Sequence, residues 1–280
     1  MNPRVPIITI TTDFGTRDSY VGAMKGVLLQ HLPHVQLVDI SHEIFPQDIL
    51  QAALVLREAS RYFPIGTTHL VVIDPGVGSE REAIALESAK HYFVGPNNGV
   101  LSIAAPTPSE AVVIQHSIAG HQPVEISHTF HGRDLFAPAA AQIAAGIPLS
   151  KLGTPLDRYH RLELPSIDYV ASGNIIGKVL AIDHFGNAIT NIGPVSHISN
   201  GITLDLYEGE SIILEEPLSL EVGGITVPFH QTYSNVATGE LLALIGSGKM
   251  VEIAVREGSA NELGIERGDT VSLSGKPNSR

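Results

Sequence analysis

Val71-Val72-Ile73-Asp74-Pro75-Gly76-Val77-Gly78-Ser79-Glu80-Arg81 is the stretch whose reading decides the fold. It opens apolar and β-branched, as a strand buried on both faces does, and such strands belong to parallel sheets. The run ends on a carboxylate, followed by a Pro-Gly turn, a second glycine and a guanidinium. Ligands of open α/β sheets gather just past the carboxyl ends of strands. Asp74 and Arg81 are therefore placed to hold an acid and a fixed cation near one point. Taken alone, the two also read as a structural ion pair across a loop.

The pattern around this stretch is consistent with it. A strand is predicted over 7–12, ending in Thr12-Asp13-Phe14-Gly15, and a helix over 19–32, stopped by Pro33. A strand over 35–40 and an Ala- and Leu-rich helix over 47–62 come next. Further strands are predicted over 83–86, 92–94 and 112–115, with a turn at Gly95-Pro96-Asn97-Asn98-Gly99. A helix over 134–145 follows, with Asp134 as its N-cap. Strand alternating with helix means an α/β domain with a mostly parallel central sheet.

After about Pro165 the character changes. Short apolar runs over 175–182, 202–206, 211–214, 225–229, 241–245 and 251–255 are parted by Gly, Asn or Glu, which predicts a small all-β barrel or sandwich. The expected division is 1–166 for the α/β domain and 167–280 for the all-β domain, joined through Leu164-Pro165-Ser166-Ile167-Asp168. Residues 275–280 are expected to fray.

Composition narrows the function. The chain has 280 residues, 43% of them hydrophobic, and no cysteine. That excludes disulfides, thiolate zinc sites and a cysteine nucleophile. The formal charge of -12 argues against a nucleic-acid partner. No apolar run approaches the roughly 20 residues of a membrane span. Met1-Asn2-Pro3-Arg4 leads into a strand rather than a signal peptide, so a cytoplasmic protein is expected. No Gly-x-Gly-x-x-Gly opens a helix and no Gly-x-Ser-x-Gly elbow is present. Gly246-Ser247-Gly248-Lys249 lacks the upstream glycine and following helix of a phosphate loop, and reads as a turn.

Three further clusters can carry chemistry. Asp13 could accept hydrogen bonds from a vicinal diol such as a ribose, or cap a turn. In His128-Thr129-Phe130-His131-Gly132-Arg133-Asp134, the two imidazoles and Asp134 could ligate a metal, or His131 could orient a water. Asp183-His184-Phe185-Gly186-Asn187 could offer a carboxylate to an ammonium, a ring to a base and an amide to a base edge, or form an Asx-rich turn.

Together the stretches resemble the S-adenosylmethionine hydroxide adenosyltransferases, relatives of the fluorinating and chlorinating enzymes that use the same substrate. The marks are Thr12-Asp13-Phe14-Gly15, Ile73-Asp74-Pro75-Gly76-Val77-Gly78, Gly95-Pro96-Asn97-Asn98-Gly99, Thr129-Phe130-His131-Gly132-Arg133-Asp134, Ile182-Asp183-His184-Phe185-Gly186-Asn187 and Ile253-Ala254-Val255, in order over nearly the whole chain. The resemblance implies an enzyme that splits S-adenosylmethionine into adenosine and methionine, without a cofactor or metal. It also implies that the all-β domain is a barrel, and a homotrimer whose sites lie between the first domain of one copy and the second of the next. Asp74, Arg81 and His131 match the family's water-handling triad. Asp13 would hold the ribose, and Asp18 and Ser19 would lie near the methionine end. Asp183 would meet the amino group with Ser247 nearby, while Phe185, Asn187, Val255 and Glu257 would frame the adenine. The fluorinating relatives carry a tyrosine at the Asp74 position and a serine at Gly132, and the halogenating branch has an aromatic flank at Gln47. Their absence here favours water over halide, since a carboxylate repels an anion. A halide-using transferase and a non-catalytic S-adenosylmethionine or adenosine binder are the alternatives.

Overall fold

The structure is a computed structural model describing residues 5–115, 126–170, 173–205 and 211–277. The chain divides into two compact units, Met1–Leu162 and Glu163–Arg280.

The first unit is built on a seven-stranded sheet. Its strands are β1 (Ile7–Thr12), β2 (Gln36–Ser41), β3 (Thr68–Val72), β4 (Ala83–Ser88), β5 (His91–Pro96), β6 (Glu110–Ile114) and β7 (Gly153–Pro155), in the spatial order β2-β1-β3-β5-β4-β6-β7. The β2-β1-β3-β5 half is parallel and the remainder antiparallel. The helices are α1 (Tyr20–His31), α2 (Ile49–Ser60) and α3 (Ala137–Ala144). β3 is buried along its whole length, as its unbroken apolar run requires. Its side chains alternate between two layers. Leu70 and Val72 pack with Met24 and Leu28 of α1 and the alanines of α3. Val71 and Ile73 pack with Ala52 and Leu56 of α2. Helices thus cover both faces, which is the arrangement parallel strands need.

The helix expected from Asp134 begins differently. Gly132–Phe136 is a π-helical turn that runs into α3. Asp134 lies inside that turn and is not an N-cap. Its Oδ2 accepts from the Ser127 N–H at 2.9 Å, and its two oxygens also take Arg133 Nε and an Arg133 terminal nitrogen. Burial raises the Asp134 pKa, but these bonds outweigh it and hold the carboxyl below its ordinary range. Wide π turns are rare and concentrate at functional sites.

Among the described residues the second unit has ten strands: β8 (Asp168–Val170), β9 (Asn174–Ile182), β10 (Ala188–Thr190), β11 (Val195–Ile198), β12 (Gly201–Asp205), β13 (Ser211–Val222), β14 (Ile225–Pro228), β15 (Leu241–Ile245), β16 (Val251–Val255) and β17 (Thr270–Pro277). The path β14-β13-β17-β9-β10-β16-β15 is antiparallel throughout. It is brought round on itself by a single bridge, Phe229 to Ala243, with the His230 N–H donating to the Ala243 carbonyl at 2.8 Å. The interior is filled by Ile175, Val179, Leu220, Ile253, Val271 and Leu273, among others. Residues 275–277 are not frayed. They continue β17 and pair with β13 through Leu214↔Pro277 and Glu215↔Lys276, so fraying could apply only to 278–280, which lie outside the described residues.

Candidate active site

The parallel half of the first sheet delivers three loops to one edge. β1 and β3 are in register through Thr12↔Val72, and β1 and β2 through Thr11↔Ser41. Asp13, His42 and Asp74 therefore all follow the carboxyl ends of adjacent strands, where open sheets bind ligands. The Asn98 amide donates to the Ile73 carbonyl at 2.9 Å and fixes the backbone immediately before Asp74.

Asp74, Arg81 and His131 meet. Arg81 Nε donates to Asp74 Oδ1 at 2.8 Å, and a terminal guanidinium nitrogen reaches Asp74 Oδ2. The same nitrogen lies 2.8 Å from His131 Nδ1. The guanidinium also sits 5.0 Å over the Phe136 ring, which the π turn supplies. Only 5% of the Asp74 side chain and 11% of the Arg81 side chain are exposed, and His131 is buried. The geometry assigns the imidazole tautomer. A guanidinium has no acceptor, so His131 Nδ1 accepts and the ring proton is on Nε2.

Two features bring the loops of this triad together. Gly78 has φ +77°, and a Cβ there would stand 2.5 Å from the His128 carbonyl oxygen. Only glycine lets the Asp74–Arg81 loop lie so close to the segment carrying His131. Phe130 then packs edge-on to Phe14 at 6.0 Å and Tyr20 at 5.3 Å, which joins that segment to the Asp13 loop and to α1.

Asp13 is gripped from one side. Its Oδ2 accepts from the Gln47 N–H at 2.8 Å, and Gln47 holds a left-handed φ of 67°, a conformation a non-glycine residue adopts at a cost. Among the described residues, no such backbone bond reaches Oδ1. Asp18 and Ser19 are exposed at the start of α1, and the Ser19 side chain makes no capping bond. His128 and His131 do not form a metal set with Asp134. Among the described residues no group of three or more His, Cys, Asp or Glu side chains could hold a metal ion.

In the second unit, Asp183 organises its own turn. Oδ1 accepts from the N–H groups of Phe185 and Asn187, both at 2.8 Å, and Oδ2 from the Asn187 side-chain amide at 2.9 Å. The Asx-turn reading is therefore correct as local structure. It leaves Phe185 standing out at 76% exposure, while Asn187 is buried with its NH2 engaged by Asp183. Ser247 lies in the β15–β16 turn, closed by the Lys249 N–H donating to the Gly246 carbonyl at 2.9 Å. Val255 is the last residue of β16 and is buried; Glu257, exposed just beyond it, has φ 57°.

Sequence reasoning passed over Glu252 and Tyr233. A Cβ on Gly246 would fall 1.7 Å from Glu252 Oε1, so the glycine clears room for a carboxylate under that turn. The Tyr233 hydroxyl pKa is raised, by burial first and then by the charges of Glu252 and Asp183, which places all three in one neighbourhood. Their signal was a charged residue inside the apolar run Val251-Glu252-Ile253. Gln47 read only as the start of the helix over 47–62, which in fact begins at Ile49, and Asn98 only as part of a turn.

Comparison with known proteins matches both units of the chain to one family. Residues 8–153 match the SAM hydroxide adenosyltransferase N-terminal domain, and residues 177–272 the corresponding C-terminal domain. The chain is 37% identical over 276 residues to the (R)-S-adenosyl-L-methionine hydrolase of Thermus thermophilus, covering 94% of this chain and 97% of that protein. It is 35% identical over 272 residues to the same-named protein of Salinispora tropica, covering 96% and 97%. Fluorinases match over about two thirds of the chain. A crystal structure of an uncharacterized conserved protein from Thermotoga maritima superposes with a TM-score of 0.82 at 32% identity, covering 95% of this chain and 99% of that one.

Proposed function

The chain belongs to the SAM hydroxide adenosyltransferase family and is a hydrolase of S-adenosyl-L-methionine, and from that premise we propose that Asp74, Arg81 and His131 deliver water to the ribose C5′. An oxygen–carbon bond forms as the carbon–sulfur bond breaks in line. The bonding pair goes to sulfur, so the sulfonium leaves as the neutral thioether of L-methionine, and adenosine is the other product. No step of this displacement calls for a cofactor.

One observation carries the assignment: Arg81 bridges the Asp74 carboxylate and the His131 imidazole within hydrogen-bond distance. Arg81 is a donor only, and stabilises the hydroxide-like charge that develops on the attacking oxygen. His131 spends its Nδ1 lone pair on Arg81 and presents Nε2–H, so it orients oxygen rather than accepting a proton. Asp74 accepts the proton, since each carboxylate oxygen keeps a lone pair beyond its bond to Arg81. Holding the nucleophile in line supplies several kcal/mol, up to about 7–11 in ideal intramolecular cases.

The substrate contacts are part of the same reading. Asp13 takes the ribose hydroxyls through Oδ1. Asp18, Ser19, Asp183 and Ser247 receive the methionine end, and Phe185, Asn187, Val255 and Glu257 frame the adenine. The exposed Phe185 ring supports this, as a surface that a flat base would cover. A cytoplasmic homotrimer, each site completed by two copies, is also proposed, on the family resemblance. The relatives named above are specified for the (R) sulfonium epimer, and we assign that epimer to this chain too.

Incubation with the separated epimers in 18O-water tests the reading. Label in the adenosine 5′-hydroxyl, with faster loss of the (R) epimer, is expected. Unlabelled adenosine, or 5′-chloroadenosine formed when chloride is added, overturns it. Mixing inactive Asp74→Asn and Asp183→Ala proteins tests the trimer, because shared sites restore activity on subunit exchange and self-contained ones do not.

A further inference from the structure

Behind Asp13 lies a chain of polar groups that the reaction does not use. Thr12, fully buried, has its Oγ1 2.8 Å from His42 Nδ1 and accepts from the Phe14 N–H at 3.3 Å. His42, also buried, places Nε2 3.0 Å from Asp39 Oδ1, within ion-pair distance but out of line for a full hydrogen bond. Lys25 Nζ closes the chain on Asp39 Oδ2 at 2.6 Å. The His42 backbone adds a second hold, its carbonyl accepting from the Gly15 N–H at 2.8 Å. A carboxylate facing Nε2 favours the proton there. Nδ1 is then the acceptor, and the Thr12 hydroxyl hydrogen points at it. That orientation leaves a Thr12 lone pair for the Phe14 N–H.

We infer that His42 is a positioning residue for ribose recognition: through Thr12 and Gly15 it sets the backbone on both sides of Asp13 and so aims the free carboxylate oxygen at the sugar diol. The inference rests on Asp13 being the ribose grip. The carboxylate is already held at Oδ2 by the Gln47 N–H, so its remaining freedom is the attitude of its own backbone. Phe14 and Gly15 are the residues that fix this, and both hang from His42, one through a side chain and one through the main chain. The Asp39 carboxyl is held below its ordinary range, partial burial opposing, and the Lys25 hydrogen bond with the closeness of His42 prevailing, so the carboxylate end of the chain stays charged.

The experiment compares kcat/KM for S-adenosyl-L-methionine and its 2′-deoxyribose analogue. His42→Phe keeps a ring and removes both nitrogens. It is expected to shrink the preference for the ribose substrate about tenfold, mainly through KM, while His42→Asn, which restores an acceptor near Nδ1, recovers much of it. A merely structural role would lower the melting temperature and the rates on both substrates without moving their ratio. Thr12→Val, which removes only the hydroxyl, is expected to act in the same direction and serves if His42→Phe does not fold. Asp13→Asn is the control. If it leaves the ratio unchanged, the ribose assignment fails and this inference with it. If Asp13→Asn collapses the ratio while folded His42→Phe or Thr12→Val does not, the inference alone is overturned.

Discussion

At the scale of single residues, the triad is also a buried ion pair, and that changes which substitutions are informative. Removing one partner of such a pair strands the other charge and costs about 3–5 kcal/mol. Asp74→Ala is therefore expected to lower thermal stability sharply as well as abolish turnover. Asp74→Asn keeps one acceptor for Arg81 and is expected to lose less stability than Asp74→Ala while turnover is lost, as thermal melts of the two beside a single-turnover assay would show. Arg81→Lys keeps the charge but loses the fork that serves two partners. A fall in kcat of about 10²–10³, with KM within tenfold, is expected, comparable to loss of one oxyanion donor. Equal losses in binding would make Arg81 a substrate anchor instead. Asp74 and His131 stand out in the sequence because each closes or opens an element, Asp74 after an apolar run and His131 before a helical pattern, and the family resemblance groups them with Arg81. The partners that aim them do not stand out, since Asn98, Gln47 and the Phe136 ring act across distances in the chain that no local pattern encodes.

At the scale of elements, two close approaches decide whether the site exists. Gly78→Ala meets both a left-handed φ and a backbone oxygen at 2.5 Å. A destabilisation of about 1–3 kcal/mol is expected from strain of this kind. Because the 74–81 loop must move away from His128, turnover should fall more than substrate binding, and paired denaturant melts and KM measurements would show it. Strand and helix placement in the first unit followed closely from hydrophobic period: the expected strand over 7–12 is β1 residue for residue. The π turn was invisible, because a single turn of five residues is too short to show a period of its own. In the second unit β17 was missed although Val271 and Leu273 are buried with Ser272 between them and Ser274 after. Short polar-alternating strands look like loop when glycine and lysine flank them.

At the scale of the whole molecule, acid stability should be governed partly from the core of the first unit. His69 on β3 is fully buried, with Thr9 Oγ1 2.8 Å from Nδ1, His91 Nδ1 3.2 Å from Nε2, and the rings of Phe63 and Phe93 beside it. Burial first, and then the His91 charge, push its pKa down to about 3. The unfolded chain would bind a proton near 6.5, so it takes up protons that the folded one refuses. Stability from this group is complete above about pH 6.5 and declines toward pH 3, by at most about 1.4 kcal/mol per pH unit. His91, shifted the same way by burial, adds to the decline. His69→Gln should flatten the dependence of melting temperature on pH across that window, whatever it does to stability at neutral pH. The division into an α/β part and a barrel was legible from the change in spacing near Pro165. What sequence could not supply was how the barrel is shut.

That closure has a dynamic consequence. Every other joint in the ring is a ladder of paired residues, whereas β14 and β15 share the Phe229–Ala243 bridge and the neighbouring His230 bond. A cylinder with one weak seam breathes there first. Deuterium should enter the His230 amide well before the amides of β13 and β17, and uniform exchange around the circumference would mean that the cylinder has no preferred line of parting.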